Sequence, residues 1–334
     1  SNGVALFTGV KEGRYVFEIS FTGFRTLKGT VWAAVEGKEV TEFSLEPEEE
    51  EEEEVVIQST RSTRTISDIP TRVEFIAGEE LDEKANMKPG DIRMVLTEST
   101  GIQTQQTSAT SANASIRIQG LDGRYTQVLK DGFPMYAGFS SGLGLLQTPP
   151  LDLKQFEVIK GSASTLYGGG AIAGLVNLIS KTPKEEKELK FHFDGTSGGG
   201  LNTSGFYGKK FGKAGVTIFV SRNSNAPYDP ADIGLTAIPK FKRYTVNPKL
   251  FLFFTEKTKL DFGINITTEN RIGGEVDFIK GNNPSGFYET NNSDRYSTQL
   301  KLEHHFGKCS HLTVKNSLSR FQRSITSPAY GFNG

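Results

Sequence analysis

The sequence predicts a mainly β protein in which a mixed α/β domain precedes a set of long antiparallel strands. Residues 61–183 hold short apolar segments that glycine-containing turns interrupt. From residue 187 onward, apolar and polar side chains alternate over longer segments, which is the pattern of strands with two different faces. The longest purely apolar runs, such as residues 250–254, have about five residues, whereas a membrane-spanning helix needs about 20.

Composition and charge exclude several classes of function. The 38 basic and 39 acidic residues nearly balance, so no basic stripe indicates a nucleic-acid partner. Cys309 is the single cysteine, which rules out a disulfide framework within this chain. His304 and His305 are adjacent on a predicted strand and point to opposite faces, and His311 alone does not complete a set of metal ligands. We expect no enzymatic activity, no cofactor and no bound metal.

The first 60 residues divide into two segments. Residues 1–46 contain three strand-like stretches, at residues 13–21, 31–35 and 42–45. Residues 47–60 are an acidic linker, in which like charges repel one another and extend the chain. A β-branched triplet, Val55-Val56-Ile57, follows the glutamates. The triplet is either an extended recognition segment or the first strand of the next domain.

Residues 61–183 predict a mixed α/β domain. Residues 89–96 form the predicted helix, because Ile92, Val95 and Leu96 recur at helical spacing. Residues 103–111 and 133–147 are polar or glycine-rich and predict loops, and Asp131-Gly132 predicts a tight turn. A helical turn is expected at residues 162–167. The predicted strands cover residues 72–76, 114–120, 125–130, 155–159 and 175–180.

The order of motifs within this domain resembles the plug domain of TonB-dependent outer-membrane receptors. The chain shows Arg117-Ile118-Gln119-Gly120, then the turn Asp131-Gly132. Glu157-Val158-Ile159-Lys160-Gly161 and Tyr167-Gly168 follow, and an apolar strand closes in Lys181-Thr182-Pro183. The resemblance implies a plug that fills the lumen of a β-barrel in the outer membrane of a Gram-negative bacterium.

The segments before the plug resemble further parts of such receptors. Residues 13–24 are similar to the second half of a carboxypeptidase-regulatory-like β-sandwich, which often precedes the plug in receptors of the Bacteroidetes type. Residues 1–46 are therefore expected to be a partial β-sandwich. The resemblance identifies Glu54, Val55, Val56 and Ile57 as a TonB box, an extended peptide that adds a strand to a sheet of its partner.

Residues 187–334 predict the first part of a transmembrane β-barrel. Leu189, Phe191 and Phe193 alternate with polar residues, and the same alternation recurs in about seven segments. A soluble β-sandwich would alternate in the same way, so it is the position after a plug that favours a barrel. The family implies 22 strands in a complete barrel. Since seven strands cannot enclose a plug, we expect the chain to be a fragment of a longer receptor.

The resemblance also assigns candidate site residues. Arg117, Glu157 and Lys160 are expected to tie the plug to the inner wall of the barrel. Glycines beside the strand ends are expected to supply positive φ angles or close backbone approach. The residues expected to have a structural role in the plug are Arg117, Gly120, Asp131, Gly132, Glu157, Lys160, Gly161, Tyr167 and Gly168. Candidate substrate contacts at the plug apices are Gln105, Gln106, Tyr136 and Phe139.

The function implied by the resemblance is active import of a scarce nutrient across the outer membrane. The expected substrate classes are ferric siderophores, haem and cobalamin. The expected partners are TonB with its inner-membrane motor proteins, the nutrient itself and outer-membrane lipid. Two alternatives remain at this point. One is an oligosaccharide importer that works with a surface lipoprotein, and the other is a surface receptor or adhesin that transports nothing.

Overall fold

The structure is a computed structural model, and it divides into two compact units after Val56. It describes residues 7–21, 24–33, 42–45, 72–108, 110–135, 141–142, 144–161, 170–307 and 310–328. Glu54, Val55, Val56, Ile57, Tyr136, Phe139, Tyr167, Gly168 and Cys309 lie outside the described residues, as does the helical turn expected at residues 162–167.

The described part of the first unit is a β-hairpin. Strands β1 (Gly13–Phe21) and β2 (Phe24–Ala33) pair antiparallel. The prediction was wrong in placing the second strand at residue 31 and a third at residues 42–45. The start of β2 was missed because the strand contains Gly29, and glycine is unfavourable within a strand. In the structure the Phe17 ring takes the space where a Cβ of residue 29 would lie, at 2.6 Å. The Phe43 ring packs against that ring at a tilt of 45°, with centroids 4.3 Å apart, but residues 42–45 do not join the sheet. The partial β-sandwich stays a prediction.

The plug domain of the second unit holds two sheets. The larger sheet has five strands in the order β3-β9-β10-β6-β7, and the smaller has the order β4-β5-β8. The elements are β3 (Arg72–Ala77), α1 (Gly78–Met87), α2 (Arg93–Thr97), β4 (Ile102–Gln106), β5 (Ala114–Ile118), β6 (Thr126–Lys130), β7 (Phe133–Pro134), β8 (Ser141–Gly142), β9 (Leu153–Lys160) and β10 (Gly174–Ser180).

The core of the plug lies between these sheets and the helices. Strand β10 is buried along its whole length, because it runs between β6 and β9 and is covered on both faces. Ile116 and Ile118 of β5 and Phe156 of β9 are fully buried in the same apolar cluster. The five predicted strands of the plug are thus confirmed to within two residues at their ends.

The plug differs from the prediction in three places. Helix α1 was missed, because only Leu81 and Ala85 of its residues are buried, at a spacing of one turn in a charge-rich segment. The predicted helix at 89–96 is shorter and begins only at Arg93. Residues 103–111 were predicted as a loop, but β4 extends to Gln106 and pairs with β5. The Gln and Thr side chains of β4 give no apolar alternation, so the strand was not predicted. It is stabilised by its backbone pairing with β5 and by the buried side chain of Ile102.

The remaining residues form a seven-stranded antiparallel sheet in sequence order, as predicted. A short helix, α3 (Val276–Lys280), lies in the long loop between the fifth and sixth strands. The strands are β11 (Glu188–Gly195), β12 (Gly200–Phe211), β13 (Ala214–Asn225), β14 (Lys240–Thr255), β15 (Thr258–Gly274), β16 (Tyr288–His305) and β17 (His311–Thr326). The alternation indicated a sixth strand from residue 295, but β16 begins at Tyr288, because its polar start, residues 288–294, lacks apolar alternation.

The two faces of this sheet differ in polarity. Phe193 is 72% exposed and Ile218 is 41% exposed on the outer face. On the inner face Asn223, Arg243 and Glu269 are buried against the plug. An apolar outside and a polar inside are typical of a membrane barrel wall.

No helix among the described residues is long and apolar enough to cross a membrane.

Candidate functional site: the interface between plug and sheet

A tight turn of the plug reaches the inner face of the sheet. Asp131 and Gly132 both have positive φ, 54° and 73°, which is the geometry of a hairpin turn between β6 and β7. The Asp131 carboxylate accepts hydrogen bonds from the backbone N–H of Ser180, at 2.8 Å, and from its hydroxyl, at 3.0 Å. The same carboxylate pairs with Lys249 of β14. One side chain therefore binds both the end of the last plug strand and the seven-stranded sheet, which is called the wall below.

A second ion pair lies beside this turn. Lys130 Nζ donates to Asp152 Oδ2 at 2.9 Å, and both side chains are buried. The same oxygen accepts a hydrogen bond from Asn247 of β14, also at 2.9 Å. Gln299 of β16 donates to the Lys130 carbonyl at 3.1 Å. These bonds and the Asp131–Lys249 pair are called the mid-sheet contacts below.

A different set of contacts lies nearer the ends of the strands that the long loops 226–239 and 275–287 connect. Arg243 donates to the carbonyls of Leu146 and Gly90, and Arg271 donates to the Ser111 carbonyl at 2.9 Å. Glu269 lies between the two guanidinium groups, 3.3 Å from Arg243 and 2.8 Å from Arg271. Arg243 and Arg271 therefore bind the plug through its main-chain carbonyl groups.

The side chain of Gln147 completes this second set. Its amide donates to Ser293 Oγ at 2.8 Å, and its carbonyl oxygen accepts from Arg295. Together with the bonds of Arg243 and Arg271, these are called the loop-end contacts below. They hold three separate plug segments against strands β14, β15 and β16.

The electrostatics of the plug carboxylates reflect these partners. Burial alone would raise the pKa of Asp131, but Lys249 and Lys130 outweigh it and hold that pKa below its ordinary value. Burial likewise opposes ionisation of Asp91, yet the adjacent Arg93 guanidinium, 3.0 Å away, lowers the pKa of that carboxyl. Both groups are therefore held as carboxylates.

The charged residues predicted to tie the plug to the wall form bonds inside the plug. Arg117 donates to Gln105 Oε1 at 2.9 Å, and Lys160 pairs with Glu74. Glu157 accepts hydrogen bonds from Asn177 and from a neighbouring glutamine on its own strand, both at 3.0 Å. Among the described residues, the mid-sheet and loop-end contacts tie the plug to the seven strands, and a tying role for Arg117, Glu157 and Lys160 stays a prediction. Gly120, Gly132 and Gly161 do have positive φ, as predicted.

The candidate substrate contacts are only partly described. Gln105 and Arg117 line an open groove of about 680 Å³, together with Thr97 and residues 102–104. Gln106 ends the same strand, and its amide donates to the Ser108 carbonyl at 2.9 Å. The groove offers hydrogen-bond donors and acceptors and one guanidinium group. A role in substrate binding stays a prediction for all four residues.

The wall residues of the interface were missed by sequence reasoning. Lys249, Arg243 and Arg271 occupy inward positions on two neighbouring strands, where alternation alone predicts only polar character. A charged residue at an inward position was the signal that the sequence offered for a contact with the plug. Which plug segment lies opposite that residue cannot be deduced from residue spacing.

The described histidines are not arranged as a set of metal ligands. His304 bonds to Thr258, and His305 faces His311 with ring centroids 6.0 Å apart. Among the described residues, no three His, Cys, Asp or Glu side chains form a group that could hold a metal ion.

Comparisons with known proteins agree with this architecture. Residues 65–175 match the family model described as TonB-dependent Receptor Plug Domain. The ferric aerobactin receptor of Klebsiella pneumoniae is 26% identical over 147 residues, which are 43% of this chain and 19% of the relative. The vitamin B12 transporter BtuB of Vibrio vulnificus is 28% identical over 134 residues, 40% of this chain and 21% of the relative.

Solved structures share the fold beyond the plug. The alcaligin outer-membrane receptor FauA of Bordetella pertussis aligns with 80% of this chain and 42% of its own, with a TM-score of 0.62 and 14% identity. The ferric-catecholate import receptor Fiu of E. coli K12 aligns with 80% of this chain and 41% of its own, with a TM-score of 0.59 and 18% identity. The chain thus spans about a fifth of its curated relatives and less than half of these structures.

Proposed function

We propose that this chain, a TonB-dependent receptor with its plug domain and adjoining barrel strands, serves active import of a scarce nutrient across the outer membrane. The observation that carries the proposal is the plug seated on the polar inner face of a sheet whose outer face is apolar. Such a plug must rearrange before a solute can pass, so import needs an energy source and a trigger.

The substrate belongs to the class of metal chelates and vitamins. The relatives support this class, because their names describe receptors for ferric aerobactin and vitamin B12. Within the chain, the groove beside Gln105 and Arg117 is polar and carries a cation, which suits an anionic or carbonyl-rich chelate. TonB is the proposed partner, and Val55-Val56-Ile57 is its proposed docking strand.

Uptake by living cells tests the function directly. The full-length receptor is returned to a strain from which its gene was deleted, and cells are offered radiolabelled ferric aerobactin, ferric enterobactin or cyanocobalamin. Energised uptake of one probe that depends on the receptor supports import. Binding without uptake would instead support a surface receptor, and growth on an oligosaccharide that depends on the receptor would support the sugar importer.

The docking strand has its own test. Val56→Pro removes a backbone donor from the strand that TonB would pair with, so uptake should fall to background while binding at the cell surface persists. Val56→Ala, which keeps the donor, is the matched control and should retain uptake. Normal uptake by the proline variant would place the TonB box elsewhere.

A further inference from the structure

The partner of Asp131 on the sheet lies beside a second acceptor. Lys249 is the register partner of Gly263 on β15, and a Cβ at Gly263 would be only 3.1 Å from Lys249 Cγ. The lysine stem therefore runs across the bare backbone of that glycine. Since side chains two residues apart share a strand face, Asp261 and Asn265 flank the stem on the inner face.

Both flanking side chains hold an oxygen that no hydrogen bond satisfies. Asp261 Oδ1 and Asn265 Oδ1 are buried and have no hydrogen-bond partner among the residues that the structure describes. Buried polar atoms without partners are costly, so each of these oxygens is an acceptor that a further donor would stabilise. Lys249 is one of the charges that act on Asp261 in the seated plug.

The other cations near Asp261 are already committed. Lys259 and Lys301 both pair with Glu303, at 2.6 Å and 2.5 Å. Asp261 also borders a cavity of about 240 Å³, which Thr182, Pro183, two aromatic residues of β14, Lys210 and Lys259 line with it. Lys210 and Lys259 already pair with Glu185 and Glu303, so Asp261 keeps an unpaired oxygen with space beside it.

We propose that Lys249 is a two-position residue, which holds Asp131 while the plug is seated and passes across Gly263 to Asp261 when the plug withdraws. The proposal rests on the proposed import function. The second position lowers the cost of withdrawal, because the lysine does not become a buried charge without a partner. Asp131 favours the seated plug and Asp261 favours the withdrawn one, so the two carboxylates act in opposition on one equilibrium.

The leak of a large hydrophilic antibiotic measures that equilibrium without a ligand. Cells that carry the full-length receptor are exposed to vancomycin, and its entry rate is compared between variants that reach the outer membrane in equal amounts. Asp131→Asn should raise entry about tenfold, because it weakens the seated state by roughly one charged contact. Asp82→Asn is the matched control, since Asp82 also pairs with a wall lysine, Lys190, but in an exposed place.

The decisive variant combines two changes. Asp131→Asn with Asp261→Asn should return entry to within about threefold of the unmodified receptor, since both states are then weakened. Adding Gly263→Ala to Asp131→Asn should also lower entry, because the new methyl group crowds the path of the lysine. A double variant that leaks as much as Asp131→Asn, or a single variant that leaks no more than Asp82→Asn, would overturn the proposal.

Lys249→Gln covers the case in which Asp131→Asn does not assemble. It keeps the bonds between Asp131 and Ser180, and it should leak to an extent that Asp261→Asn does not change. Sensitivity of this variant to Asp261→Asn would refute the role of Lys249. If the leak results hold but no chelate or vitamin is imported, the import function fails while the two-position lysine stands.

Discussion

The plug meets the sheet in two regions that differ in which atoms make the contact. In the loop-end contacts, Arg243 and Arg271 of the wall donate to main-chain carbonyls of the plug beside the side-chain bonds of Gln147, and Glu269 pairs with both guanidinium groups. In the mid-sheet contacts, side-chain carboxylates of the plug pair with lysines on either side of the interface. Beside Lys249 in the second region, Asp261 Oδ1 is a buried acceptor without a hydrogen-bond partner among the described residues, whereas in the first region both guanidinium groups already pair with Glu269.

This difference suggests a division of labour. Contacts to main-chain carbonyls do not depend on the plug side chains and are surrounded by fixed partners, so they seat the plug. Contacts between side chains with an alternative partner can exchange at low cost, so they suit the reversible withdrawal of the plug that the proposed import requires. The loop-end contacts should therefore dominate stability, and the mid-sheet contacts should dominate gating.

The largest expected effect is on the loop-end contacts. Arg243→Ala leaves Glu269 with one partner fewer in a buried place and releases two plug carbonyls. Breaking one side of such a buried cluster costs about 3–5 kcal/mol. The plug of the purified full-length receptor should become sensitive to protease at a lower denaturant concentration. Arg124→Ala removes an exposed arginine of the plug and should leave the protease midpoint unchanged.

The outer face of the sheet gives the next largest effect. Ile264→Arg places a charge toward lipid near the middle of β15, which costs about 2–4 kcal/mol. The yield of heat-modifiable receptor in the outer membrane should fall, while Ile264→Leu should match the unmodified protein. Equal yields for Ile264→Arg and Ile264→Leu would contradict the assignment of this face to lipid.

Acid should act on the mid-sheet contacts through Asp131. Its folded pKa is lowered, so the folded plug binds fewer protons than the unfolded one, and the stabilisation is complete above the ordinary pKa of about 3.9. The stabilisation is lost as pH falls through the lower, folded value. Protease sensitivity of the plug should rise below about pH 4, and Asp131→Asn should reduce that dependence. An unchanged pH profile in the variant would assign the effect to other carboxylates, such as Asp91.

The smallest effect is expected at an exposed contact between plug and wall. Lys190 Nζ lies 2.9 Å from Asp82 Oδ2, and their side chains are 40% and 52% exposed. Solvent screens such a pair, so Asp82→Asn should change stability by less than about 1 kcal/mol. A loss as large as that of Arg243→Ala would mean that exposure does not separate strong contacts from weak ones at this interface.

The sequence predicted the sheet better than the interface. Seven strands and their facing follow from local alternation, and Asp131-Gly132 predicted its turn because only a few residue types accept positive φ there. The partners of Asp131 could not be predicted, because Lys249 is 118 residues away and pairing at that distance is set by how the plug is seated. Helix α1 and strand β4 were missed because their stability comes from tertiary packing and pairing rather than from their own periodicity.

The accessibility of introduced thiols during uptake tests most directly whether the loop-end contacts stabilise the plug and the mid-sheet contacts control gating. Asn247→Cys and Ser293→Cys place reporters on the inner face under the mid-sheet and loop-end contacts, in a Cys309→Ser background of the full-length receptor. Living cells are treated with a small water-soluble thiol reagent, with and without a bound ferric chelate or cobalamin and with and without TonB. We expect faster labelling at position 247 when ligand and TonB are both present, and unchanged protection at position 293. Faster labelling at position 293 alone, or at neither position during active uptake, would contradict this expectation.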